Sequence, residues 1–87
     1  MPYIKSENRV KYENVLAELT GILKSLPMDE VDGELNYVVT KMLKEVYPLR
    51  YFSINRAVGV LECIKFEFYR RVAAPHEDTK IKENGDV

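Results

Sequence analysis

The sequence contains one cysteine and one histidine in 87 residues. Cys63 has no second thiol in the chain to pair with, so its expected state is a small buried hydrophobe in a reducing compartment. A Ser-His-Asp or Cys-His nucleophile would depend on His76, in a polar segment near the end of the chain. Metal ligation has little basis, because His76, Glu77 and Asp78 are adjacent and adjacent residues make poor tetrahedral geometry. There is no phosphate-binding glycine loop, dinucleotide fingerprint or zinc spacing, and no cofactor is expected. Apolar runs are short: the longest, Ala57 to Leu61, falls far below a membrane span. A charge bias is also lacking. Thirteen basic residues against 14 acidic ones give a net charge of −1, which excludes a strong general attraction to nucleic acid or to an anionic membrane. The start Met1-Pro2-Tyr3-Ile4-Lys5 does not resemble a signal peptide, and a cytoplasmic location is expected.

What is present is helical periodicity. A chain this short makes one domain, burying about 60–65% of its unfolded surface, and small margins of this kind are often supplemented by self-association. Tyr3 and Ile4 are placed to pin the leading segment. Ser6 followed by Glu7 opens a first helix, along which Tyr12, Val15, Leu16, Leu19, Ile22, Leu23 and Leu26 follow the i, i+3, i+4, i+7 rule. Gly21 lies opposite that stripe, and Pro27 ends the element. Met28 to Val31 reads as an acidic connection and Asp32 as the next N-cap. Leu35, Val38, Val39, Met42, Leu43, Val46 and Tyr47 then alternate at steps of three and one, the cleanest pattern in the chain. Pro48 stops this second helix. In the link that follows, Phe52 is placed to pack on Ala57 as a hydrophobic staple before a Ser53 cap.

The third helix is expected from Ser53 to Pro75, about 31 Å long at 1.5 Å per residue. Its main seam is Ile54, Ala57, Val58, Leu61, Ile64, Phe68 and Val72, with Leu43 and Leu61 expected in the core. The opposite side is not the charged face of an outer bundle helix. Gly59, Cys63, Phe66 and Ala73 lie there, flanked by Val60 and Ala74. A helix apolar nearly all round is buried on both sides, so Gly59, Val60, Cys63 and Phe66 are the expected partner-binding residues, with a second copy of the chain as the simplest partner. Glu67 and Arg71 are spaced for an ion pair, and Phe66 and Arg70 for stacking. The competing reading gathers Glu62, Lys65, Tyr69 and Arg70 into a polar cluster lining a ligand pocket. Beyond Pro75 the composition turns polar, with Ile81 the one large aliphatic inside the segment. By composition alone it reads as a mobile tail.

Several of these stretches resemble a family of small helical proteins of unknown function encoded in bacterial, archaeal and phage genomes. They are Met1-Pro2-Tyr3-Ile4, Glu34-Leu35-Asn36-Tyr37-Val38-Val39-Thr40, Val58-Gly59-Val60-Leu61-Glu62-Cys63, Glu67-Phe68-Tyr69-Arg70-Arg71-Val72, and then Pro75, Glu77-Asp78, Lys80-Ile81 and Glu83-Asn84-Gly85-Asp86-Val87. The resemblance implies no activity and no catalytic residue. It does imply that the polar tail belongs to the domain's pattern. Burying Ile81 alone cannot offset the ordering of the tail on a monomer, so the tail is expected to be ordered mainly when the protein is associated, lying along a groove between helices.

The expected fold is therefore all-α: a three-helix up-down-up bundle over residues 1–75 that associates through its third helix, with a polar C-terminal tail over 76–87. The expected function is that of a non-catalytic interaction module, self-associating or adaptor-like. A homodimer is expected, with room for an unidentified protein partner, and neither membrane nor nucleic acid. The alternative is a small-molecule or nucleotide-associated regulatory protein or enzyme using the Lys/Glu/Tyr/Arg cluster.

Overall fold

The computed structural model describes residues 4–87, and among them it is helical with short turns and no strand. The fold is all-α. Tyr3 lies outside the described residues. The chain divides into two compact units, one running to Arg50 and the other from Tyr51 to Val87.

The first unit begins with two 3₁₀ turns, Ser6–Asn8 and Val10–Tyr12. Arg9 steadies this entry by donating from Nε and Nη2 to the Ile4 carbonyl at 3.2 and 3.1 Å. Helix α1 then spans Glu13–Lys24. It starts later than Ser6 because i→i+3 turns, common at helix N-termini, occupy the first residues. Its end is tightened by the Ser25 amide, shared between the Gly21 and Ile22 carbonyls at 3.2 Å each. The Ser25 hydroxyl also donates to the Ile22 carbonyl at 2.7 Å.

Helix α2 spans Met28–Val46, with Pro27 as its N-cap residue. The expected acidic connection and the Asp32 cap are thus corrected. Asp29 and Glu30 lie in the first helical turn, where a negative charge is favoured by the helix dipole. Starting at Met28 also brings Val31 into the α2 stripe. Val31, Val38, Val39 and Leu43 are half-buried in α2, as are Leu19 and Leu23 in α1 and Leu26 after it. α1 and α2 are in contact, joined by the short Ser25–Pro27 turn.

The second unit is helical almost throughout. Helix α3 spans Tyr51–Phe68, a π-helical segment follows over Tyr69–Ala73, and helix α4 continues over Ala74–Asn84. Runs of 18, 5 and 11 residues follow one another without a break. Three expectations are corrected here. Helix α3 begins at Tyr51, so Ser53 is inside it and Phe52 is a helical residue rather than a staple. Pro75 does not close the helix. The polar segment after Pro75 is helical through Asn84 rather than a mobile tail.

The π segment is the physical reason that Pro75 is tolerated. A proline inside an α-helix removes one i→i−4 bond and drives its ring against the carbonyl four residues earlier, here that of Arg71. In the π segment the ladder steps by five residues instead: the Ala74 amide donates to the Tyr69 carbonyl. The inserted residue re-aims the carbonyls ahead of Pro75, which becomes the second residue of α4. At that position Pro75 forfeits only the one ladder bond that its missing amide would have made. Helix α4 ends at Gly85, whose φ of 88° is open to glycine and strained for residues with a Cβ. The Gly85 amide donates to the Ile81 carbonyl at 2.8 Å.

None of the described residues is fully buried. Leu43 is half-buried. Leu61, expected in the core, is 40% exposed, and within its own unit a single helix offers no second surface to bury it. No helix is long and apolar enough to cross a membrane among the described residues.

Candidate interaction surface

Gly59, Val60, Cys63 and Phe66 all lie on α3 and all are exposed. Phe66 is 61% exposed and Val60 40%. Cys63, expected as a buried hydrophobe, is exposed as a free thiol. A Cβ built at Gly59 would meet nothing within 4 Å, so no side chain from another part of the described residues fills that spot. The main seam is open as well, with Phe68 63% exposed and Val58 58%. Apolar surface therefore faces outward on both sides of α3.

The polar residues of this helix form local pairs. Lys65 Nζ lies 2.7 Å from Glu62 Oε1 and 5.1 Å from the centre of the Phe66 ring, so Lys65 takes the cation–π position that spacing suggested for Arg70. Glu67 receives both arginines: Arg70 Nη2 donates to Oε1 at 3.1 Å and Arg71 Nε to Oε2 at 2.7 Å. The expected Glu67–Arg71 pair is present. Tyr69 Oη reaches forward to donate to Glu77 Oε1 at 3.1 Å. That hydrogen bond, together with the negative charge of Glu77, raises the Tyr69 hydroxyl above the ordinary tyrosine pKa. Of the four residues expected to cluster, Glu62 and Lys65 meet each other, while Tyr69 and Arg70 have separate carboxylate partners. Sequence spacing missed Glu77, because i, i+8 is not a helical neighbour distance and only the π segment makes it one. No group of three or more His, Cys, Asp or Glu side chains suited to a metal ion occurs among the described residues.

These features define an all-α protein whose third helix carries apolar surface on opposite sides. Residues 1–87 match the family described as Domain of unknown function (DUF6899). The chain belongs to that family. No curated protein and no solved structure matches it.

Proposed function

We propose that the protein is a non-catalytic helical interaction module of the cytoplasm that works as a homodimer joined through its third helix. The observation that carries this reading is the two-sided apolarity of α3, with Phe68 and Phe66 on different sides and each more than 60% exposed. Burying a side chain of this size contributes about 1.5–3 kcal/mol, and a helix with two such faces needs two covers. In the proposed arrangement the Ile54–Leu61–Phe68 seam packs on the α1–α2 pair as an up-down-up bundle. The Gly59–Cys63–Phe66 side then takes a second copy. A ligand-binding role for Glu62, Lys65, Tyr69 and Arg70 draws less support, since their charged and hydroxyl groups are engaged in neighbouring pairs.

Equilibrium sedimentation tests the reading. The expected result is a dimer at micromolar concentration that Phe66→Glu shifts to monomer. A monomer at every concentration, unchanged by that substitution, refutes it.

A further inference from the structure

The second unit divides into two halves of opposite charge. From Tyr51 to Arg71 four basic residues (Arg56, Lys65, Arg70, Arg71) outnumber two acidic ones (Glu62, Glu67), a net of +2. From Val72 to Val87 the side chains of Glu77, Asp78, Glu83 and Asp86 outnumber those of Lys80 and Lys82, a net of −2.

The π segment determines which of these charges share a line. Tyr69 and Glu77 touch across eight residues, so they lie on one side of the helix. One residue further along each, Arg70 and Asp78 share a line too. Steps of seven stay nearly on one line in an α-helix, drifting by only ~20°. Counting back from Arg70 gives Cys63 and then Arg56. Arg56, Cys63, Arg70 and Asp78 therefore form one line, spaced seven, seven and eight, with Gly59 and Phe66 beside it. Among the described residues, Arg56 and Asp78 have no ion-pair partner. These unpaired opposite charges stand at the two ends of the exposed apolar face.

We infer that a second copy of the chain docks antiparallel along this line, with the two-fold axis near Glu67. This rests on the self-association proposed above and adds its direction and register. Antiparallel packing opposes the two helix dipoles favourably and brings the Arg56 end of each copy to the acidic start of α4 on the other. A two-fold axis at residue 67 places Arg56 of one copy opposite Asp78 of the other, twice per dimer. The same register brings Gly59 to within one residue of Ala74 of the other copy, small against small. Parallel packing in register would instead place Arg56 on Arg56 and Asp78 on Asp78.

Cysteine pairing in the full chain reads the direction. In the antiparallel register the two Cys63 residues lie about 12 Å apart along the axis, beyond the reach of a disulfide, which needs Cα atoms within about 7 Å. The unmodified protein is expected to give no covalent dimer under mild oxidation. The variant Cys63→Ser with Gly59→Cys and Ala74→Cys is expected to give one. Within a single chain those two positions are about 22 Å apart, so its disulfide must join two copies. Charge exchange is the second readout. Arg56→Glu alone is expected to weaken the dimer about tenfold, and adding Asp78→Arg to restore it.

A dimer that cross-links through Cys63 itself, with no 59–74 bond and no rescue by the charge exchange, overturns the antiparallel register and leaves self-association standing. A protein that sediments as a monomer at all concentrations overturns both.

Discussion

Tyr69 and Glu77 are eight residues apart in sequence and 3.1 Å apart at their side-chain oxygens. In an uninterrupted α-helix an eight-residue step turns about 80° away from the starting line. The π step removes most of that angle. The hydrogen bond thus records the extra residue in the helix. It also sets a pH dependence, because the Tyr69 hydroxyl donates to a carboxylate and its pKa is raised by that bond and by the Glu77 charge. The stabilisation is complete below the ordinary tyrosine pKa of about 10 and is lost as pH rises through the raised folded value. In a titration followed by NMR, Tyr69 is expected to ionise above pH 10, and Glu77→Gln to bring it back down. A Tyr69 that ionises no higher than a tyrosine in an unstructured peptide counts against the contact.

Pro75 is the expected cause of the π segment. Pro75→Ala restores the missing amide and removes the ring that would press on the Arg71 carbonyl. Residues 69–73 should then relax towards α geometry, breaking the line between Tyr69 and Glu77. The expected outcome is a helix that is as stable or more so by circular dichroism, together with loss of the Tyr69 pKa displacement. An unchanged Tyr69 titration in that variant would assign the π segment to another cause.

Two glycines should respond in opposite ways to added bulk. Among the described residues a Cβ at Gly21 or at Gly59 meets nothing within 4 Å beyond its own helix backbone, and both residues sit inside helices. Gly21→Ala should therefore stabilise the protein by about 0.5–1 kcal/mol through helix propensity alone. Gly59→Leu gains a similar propensity but places a large side chain where the second copy is proposed to approach. It should weaken association by tenfold or more while leaving helix content intact. Sedimentation and circular dichroism on the same samples separate the two effects. If Gly59→Leu associates as tightly as the unmodified chain, that face is not the contact.

Thermal melting should depend on concentration. For a dimer whose folded chains bury each other, tenfold dilution removes about 1.4 kcal/mol of stability. Melting followed over two decades of concentration is expected to move to lower temperature on dilution. A midpoint independent of concentration would mean that each chain folds alone.

The helices that were legible in the sequence are those with a repeating apolar stripe. The steps of three and one through Leu35, Val38, Val39, Met42, Leu43 and Val46 place α2, and its proline-marked end near Tyr47 holds within a residue. Its start was obscured because Asp29 and Glu30 suit either a loop or a first helical turn. That Gly59, Val60, Cys63 and Phe66 lie towards one side of α3 was legible from the wheel, since it needed only the α3 period. Helix α4 was not identifiable. It has no apolar stripe beyond Ile81, and Pro75 stands where a helix ordinarily stops. What carries the helix past it is a shift in backbone bonding from Tyr69 to Ala73, which leaves no mark in hydrophobic spacing. The polar cluster failed for the same reason: Glu77 joins Tyr69 only after that shift.

The π segment also makes the two ends of this long helix separately adjustable. Every residue from Ala74 to Asn84 takes its angular position from how many residues lie between Phe68 and Ala74. Returning these five residues to α geometry at constant length would rotate all of α4 by about 80° relative to α3, carrying Asp78 and Ile81 to another side at once without altering either residue. Deleting one residue together with the π step would leave α4 nearly where it is, since a seven-residue step drifts by only ~20°. The backbone bonding of this stretch thus works as a dial on a whole surface, whereas a substitution on α4 changes one point on it.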